Sequence, residues 1–287
     1  MKRLFLFTLL MGAVMGNAIT AQKFTTRTYP LRDFANISVG NSVKVIYTQG
    51  AKYKVQLKGR ADWLKLMELT IQDGTLKVYT NKSKKFNNTK KEDQPDGEHI
   101  FILEVTAPCL KDIQVSGACA FESKSLTSDR ISLNCNGAAC FKVGTIDCNI
   151  LNLNLSGASK MGIVNIACQK IQANISGANT TDIQHLKAKE VRFTTNGASD
   201  LTLSAEVKEL LNVGLSGAGK VDLTFKGGSL RTDCNGGAKL KADVNCTSIN
   251  ASCDGASRIV FKGTADKVEI DRGSVAVNIN TSQLNQF

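Results

Sequence analysis

The sequence predicts an all-β chain wound as a right-handed parallel β-helix, a β-solenoid of ~20-residue coils with atypical capping ends. Three observations predict the solenoid. A tripeptide of small polar residue, glycine and small residue recurs eight times, the residues on either side of each copy alternate apolar and polar, and no apolar period of 3.6 survives between copies. The handedness rests on a family resemblance given below. Composition removes the competing classes. With 24 Gly but only 3 Pro in 287 residues the chain is not collagen-like, and with 42% hydrophobic against 21% charged residues it is not a disordered polyelectrolyte. Aromatics at 6% are sparse for a protein that stacks on sugars or bases.

Residues 1–21 read as a secretory signal peptide. Lys2 and Arg3 precede an apolar run from Leu4 to Val14, and the small residues Gly16, Ala18 and Ala21 follow, so cleavage after Ala18 or Ala21 fits. Asn17 interrupts the run before it reaches the ~20 residues of a membrane anchor. The first cysteine is Cys109, so no lipid-bearing cysteine stands near the cleavage site. The expected product is exported, without an integral membrane segment, to the periplasm, the outer-membrane surface or the medium. Loss of Lys2 and Arg3 lowers the formal charge from +11 to +9.

Residues 22–287 form one expected β-helix domain. Its first part, 22–108, is a cap with first coils: Ile37 to Val39, Val43 to Tyr47, Lys54 to Leu57 and Thr75 to Tyr79 are strand-like but lack the tripeptide, and Ala61 to Leu69 reads as a short helical turn carrying Trp63. The polar stretch 81–99, with Lys82, Lys84, Lys85, Lys90 and Lys91, reads as a solvated loop rich in lysine. Lysines clustered in a loop, with export and no recognition motif, argue against a nucleic-acid partner. Acidic polysaccharide or lipopolysaccharide is the alternative use of that charge.

The regular repeats occupy 109–262. Ser116-Gly117-Ala118, Asn136-Gly137-Ala138, Ser156-Gly157-Ala158, Ser176-Gly177-Ala178, Asn196-Gly197-Ala198 and Ser216-Gly217-Ala218 follow one another at 20 residues, then Asn235-Gly236-Gly237 and Asp254-Gly255-Ala256 at 19. Before each turn the alternation is that of a strand with one buried face, as in Leu151, Leu153 and Leu155 against Asn152 and Asn154. A second run follows, as in Val221, Leu223 and Phe225, so each repeat reads strand, tight turn, strand, second turn. Gly117, Gly137, Gly157, Gly177, Gly197, Gly217, Gly236 and Gly255 supply the positive φ that a sharp turn needs. An isolated hairpin is marginal, whereas eight stacked at ~4.8 Å bury a common core about 40 Å long. A propeller blade needs four strands, and odd and even repeats here are interchangeable. The C-terminal cap is 263–287, where Val268, Ile270, Val275, Val277 and Ile279 keep the alternation while the turn becomes Arg272-Gly273-Ser274.

The segments ISVGNSVKVIYTQG, VQLKGRADWLKLMEL, DGTLKV and IFILEVTAPCLKDIQVSGA, together with the SGA/NGA ladder, resemble the bacterial secreted family of the auto-transporter adhesin head, GIN domain. The resemblance covers nearly all of the expected mature chain. It implies a right-handed β-helix, a bacterium of the Bacteroides type and a role in adhesion. An auto-transporter also carries a C-terminal barrel of many ~10-residue strands, and this sequence reaches Phe287 just after the last coil, so surface display is expected to depend on another component.

Chemistry-bearing residues are few. Cys135, Cys234 and Cys253 take the inward position before the turn, where Val115, Leu155, Ile175 and Leu215 stand in other coils, so cysteine reads as a small core residue. Cys234 with Cys253 and Cys148 with Cys168, each pair one coil apart, are the best disulfide candidates. With only His99 and His185 and no C-x-x-C, neither a metal site nor a cofactor is expected. Asp182, Asp200 and Asp222 follow consecutive turns near Lys160 and Lys220. Asp182 and Asp222 share a column two coils apart, ~10 Å, which suits an inverting carboxylate pair; the plainer reading is surface charge, with Thr202 interrupting the column and no insertion walling a cleft. Asn134, Asn152, Asn154, Asn174, Asn212 and Asn250 are outward, and read either as a hydrogen-bonded stack or as a polar docking face. The expected function is a non-enzymatic exported solenoid whose surface binds an envelope glycan or protein. A polysaccharide lyase or hydrolase, and a periplasmic scaffold without ligand, are the alternatives.

Overall fold

A computed structural model describes residues 24–40, 42–80, 90–273 and 278–286. The signal-peptide segment, the loop residues 81–89 and Val275 and Val277 lie outside the described residues. Strand makes up 77% and helix 3%, in a β-solenoid of about 8 turns, so the all-β solenoid is the observed fold.

The N-terminal part comprises β1 (Phe24–Tyr29), β2 (Asn36–Val39), β3 (Val43–Gln49), β4 (Lys54–Arg60), α1 (Ala61–Leu64), β5 (Met67–Gln72), β6 (Thr75–Thr80) and β7 (Phe101–Ala107). β6 and β7 stack in parallel on β2 and β3. Antiparallel strands then close this end: β5 on β6, β4 on β7 and β1 on β4. Asp73 and Gly74 have positive φ and join β5 to β6 as a two-residue hairpin. The helical turn is shorter than the sequence suggested. Met67, Leu69 and Ile71 alternate with Glu68, Thr70 and Gln72, and pairing with β6 takes them into a strand. The polar stretch also differs from a purely solvated loop from Lys90 onward. Asp93 is buried, receives a 2.7 Å hydrogen bond from Arg60 Nη1 and closes the turn Lys91–Asp93, while the Arg60 guanidinium lies 4.5 Å from the Trp63 ring.

From β7 the chain crosses through 108–111 to β8 (Asp112–Ser116) and β9 (Ala120–Thr127), which pair with the opposite edges of β2 and β3. The β2–β3 layer is thus sandwiched between two layers formed later in the sequence. Lys111 N–H donates to Ala35 O at 2.7 Å where the crossing ends.

The coils continue through β10 (Arg130–Gly137), β11 (Cys140–Gly157), β12 (Lys160–Gly177), β13 (Thr180–Gly197), β14 (Asp200–Gly217), β15 (Lys220–Gly236), β16 (Lys239–Cys253), β17 (Arg258–Arg272) and β18 (Asn278–Gln286), each parallel to the last. Register places like on like: Leu151, Ile171, Val191, Leu211, Leu230 and Ile249 form one buried column. Val45, Phe121 and Phe141 form another, with the Phe121 and Phe141 ring centroids 5.5 Å apart, and Tyr47 from the next inward position stacks on Phe121 at 6.4 Å.

The coil outline corrects the two-strand reading. Two outward residues in succession break the alternation and mark a bend; in β12 this happens at Val164–Asn165, at Gln169–Lys170 and at the tripeptide. Coils β11 to β13 therefore have three faces. In β14 the inward residues Leu201, Leu203, Ala205 and Val207 run on without the first bend, and the register shifts against β13 on both sides of Leu186–Ala188. Two faces merge there, and the strand–turn–strand–turn scheme holds for β14 to β16.

All eight turn glycines have φ between +71° and +104°. A second constraint acts on them along the stack. A Cβ on Gly177 would lie 2.3 Å from Gly157 O, the oxygen that accepts the Ala178 N–H at 2.8 Å.

Candidate functional site

The first face of each coil follows the tripeptide. Its inward residues, such as Phe141 and Val143, enter the core, and those between them point out. Register then builds an outward column from Ile46 through Glu122, Lys142, Gly162, Asp182, Thr202, Asp222 and Lys241 to Val260. A depression of about 910 Å³ runs along this face from Ile46 to Gln184, and a second of about 470 Å³ from Asp182 to Lys262. They share Asp182, Ile183's neighbour Gln184 and the same column, so the two form one furrow.

Two glycines set its depth. A Cβ on Gly162 would touch nothing within 4 Å, so the missing side chain is open space. A Cβ on Gly144 would lie 2.5 Å from Lys124 O, so the backbone itself forms the floor there. Ile46 and Val164, 36% and 41% exposed, give the middle stretch apolar surface. Four carboxylates (Glu122, Asp182, Asp222, Asp243) and four ammonium groups (Lys124, Lys142, Lys241, Lys262) line the furrow, so its formal charge is zero although the chain carries +11. Several are already paired: Glu122 with Lys44 at 3.0 Å and Lys142 at 3.8 Å, and Asp243 with Lys262 at 2.8 Å.

The candidate carboxylates do not converge. Asp182 and Asp222 line the furrow on either side of Thr202, as their spacing predicts, but Asp200 lies on the neighbouring column outside it. Asp222 is held by Lys220, whose ammonium the hydrogen bond raises above its usual range. Asp182 and Asp200 are exposed and Asp222 is half-buried, so none has the desolvated setting that makes a carboxyl a general acid.

The six asparagines fall on two columns. Asn174 Nδ2 donates to Asn154 Oδ1 at 3.1 Å, Asn154 Nδ2 to Asn134 Oδ1 at 2.9 Å, and Asn134 Nδ2 to Asp112 at 2.7 Å. These amides are engaged with one another along a separate depression of about 440 Å³. Asn152, Asn212 and Asn250 belong to a column interleaved with Gln172, Arg192 and Arg231, and Asn250 donates to Glu269 at 3.2 Å.

All nine cysteines are free thiols. Cys135, Cys234 and Cys253 are buried at the inward position, as expected, and burial pushes Cys234 up to about 12 and Cys253 to about 11. Neither candidate disulfide is formed; Cys148 and Cys168 meet as thiols. Among the described residues no group of three or more His, Cys, Asp or Glu is placed to hold a metal, and no helix is long and apolar enough to cross a membrane. Sequence reasoning missed the furrow. The available signal was glycine at the outward positions 144 and 162, where neighbouring coils carry side chains.

Residues 33–224 and 205–286 match the family model described as "Putative auto-transporter adhesin, head GIN domain". The chain belongs to this family. Solved structures share the fold of this GIN-domain chain. A protein described as a putative adhesin from Parabacteroides distasonis ATCC 8503 aligns with TM-score 0.70 at 20% identity, over 87% of this chain and 98% of that one. A second, from Bacteroides fragilis NCTC 9343, aligns with TM-score 0.60 at 20% identity, over 87% and 98%. A protein described as a putative lipid binding protein, also from P. distasonis ATCC 8503, aligns with TM-score 0.59 at 16% identity, over 90% and 97%. No curated protein matches the GIN-domain chain.

Proposed function

We propose that this GIN-domain protein is an exported, non-enzymatic binding protein of the cell envelope, and that its furrow takes an extended, uncharged glycan. The furrow carries the reading: it is long, and every coil but β12 lines it with polar side chains at multiples of the ~4.8 Å spacing of the strands, so a linear polymer meets the same kind of contact repeatedly. Its zero formal charge favours a neutral chain over an acidic polysaccharide. Membership of an adhesin family supports a binding role.

The test is a glycan array followed by calorimetry, with Gly162→Tyr as the blocking variant. Gly162 has ordinary φ and open space above it, so the variant should keep its unfolding midpoint while losing at least tenfold in affinity. Binding confined to polyanions, and abolished by salt, refutes the neutral-glycan reading. Turnover of a polysaccharide that is lost on Asp182→Asn or Asp222→Asn makes the protein an enzyme instead, and empty glycan and pull-down screens leave a scaffold. Cleavage of the protein by protease added to intact cells is expected if it is displayed at the surface.

A second reading has its own support. Exposed Ile46 and Val164 on the furrow, and the likeness to a protein described as lipid binding, favour an acyl chain in the middle stretch. Co-sedimentation with neutral phospholipid vesicles, blocked by Gly162→Tyr, distinguishes it.

A further inference from the structure

Cys148 and Cys168 are directly opposed on the adjacent coils β11 and β12. Their sulfurs are 3.2 Å apart. Neighbouring parallel strands stand ~4.8 Å apart, inside the ~4.4–6.8 Å that a disulfide requires between Cα atoms. The pair sits between two bends of the coil, and each cysteine residue is 8% exposed. Both line a depression of about 530 Å³ at whose border stand Lys187, Lys189 and Lys208. Lys187 and Lys189 are shared with Glu206 and Glu209 at 3.4 and 3.2 Å. Cys234 and Cys253 are also opposed on adjacent coils, but each is 1% exposed and the core seals them. One of the two cysteine pairs is therefore both close and reachable.

We propose that Cys148 and Cys168 are a modification site, a reachable dithiol that a small-molecule disulfide oxidises to a disulfide bond between two coils. The two thiols share one hydrogen bond that either sulfur can donate, and the sulfur that loses its proton first is the attacking one. Its thiolate attacks one sulfur of the incoming disulfide, forms a mixed disulfide and releases one thiolate. The other cysteine then gives up its proton to that thiolate, and its sulfur attacks the first Sγ, displacing the second thiolate. Two cysteines lose two electrons in all and the small disulfide becomes two thiols. Export would bring the site into a compartment where such disulfides persist.

The experiment treats the native full chain with oxidised glutathione at about pH 8, near the ordinary thiol value, alkylates the remaining thiols and maps peptides without reduction. Cys148 and Cys168 should both escape alkylation, with no glutathione retained on either and a cross-linked peptide pair containing them. In at least one of Cys148→Ala and Cys168→Ala, the cysteine that remains should keep a stable glutathione adduct. Alanine is tolerated at this level, since buried Ala188 stands 20 residues after Cys168. Alkylated Cys148 and Cys168 after treatment, glutathione retained on either of them in the unaltered protein, no adduct on the remaining cysteine in either alanine variant, or cross-linking of Cys234 to Cys253 at a similar rate overturns the proposal.

Discussion

Four glycines separate the two reasons why the turn column admits no side chain. Gly177 has φ +101° and a would-be Cβ 2.3 Å from Gly157 O; Gly74 has φ +66° but nothing within 4 Å; Gly144 lacks positive φ but its Cβ would lie 2.5 Å from Lys124 O; Gly162 has neither constraint. Left-handed backbone costs an L-residue about 1–2 kcal/mol. Relieving the contact in Gly177→Ala means pulling the Ala178 N–H away from Gly157 O, and losing a hydrogen bond at this exposed corner costs about 0.5–1.5 kcal/mol. The stiffer unfolded chain returns about 0.4–1 kcal/mol. Gly177→Ala should therefore destabilise by about 2 kcal/mol, which lowers Tm by roughly 4–8 °C in a chain of this size. Gly74→Ala and Gly144→Ala should each cost about 1 kcal/mol, and Gly162→Ala should be neutral or slightly stabilising. Thermal unfolding followed by far-UV circular dichroism measures all four. The reasoning fails if Gly177→Ala unfolds no earlier than Gly74→Ala, because the approach of successive coils would then impose nothing.

Two further predictions concern polar groups. Thr232 is 0% exposed and its Oγ1 has no hydrogen-bond partner among the described residues, so Thr232→Val should remove an uncompensated hydroxyl and raise Tm by roughly 2–4 °C, for about 1 kcal/mol; a lower Tm would mean the hydroxyl is satisfied. At Asp96, burial raises the carboxyl, but the N–H groups of His99 and Glu98, at 2.7 and 3.0 Å, outweigh it and hold the group below its usual range. A depressed folded value gives stability that is present above the ordinary value of ~3.9 and lost as pH falls through the folded one. Amide exchange at Glu98 and His99 should then quicken below about pH 4, after correction for the intrinsic rate, and an unchanged protection factor would refute the role of Asp96.

The stack was legible because its period is a property of the sequence. Eight glycines spaced by 20 or 19 residues and the runs Leu151, Leu153, Leu155 dictate coils whose inward residues superpose, and register pairs them so. The third face was not read, although its signal exists: Val164–Asn165 and Gln169–Lys170 are breaks in alternation, but residue types there change from coil to coil while the bend does not. Non-local order was beyond local pattern altogether. Nothing in Ile37 to Val39 tells that β8, more than 70 residues on, pairs with one edge and β6 with the other. For the site, the polar face was sought where asparagines recur, yet Asn134, Asn154 and Asn174 satisfy one another. The furrow depends on what Gly144 and Gly162 lack, and two outward glycines are a weak signal beside a tripeptide that repeats eight times.

The sandwiched β2–β3 layer also determines how the protein carries load. In a plain solenoid, tension on an end peels coils one at a time, each held by a single neighbour. Here a pull on the N-terminal side first strips β1, whose one partner strand is β4 among the described residues. The next segment is gripped on both edges, β2 by β6 and β8, β3 by β7 and β9, so tearing stalls until two ladders yield together. A force–extension trace should record that stall as a peak above the one that releases β1. A molecule tethered from this side would behave as a knot at the end of a rope, giving a little slack before it holds.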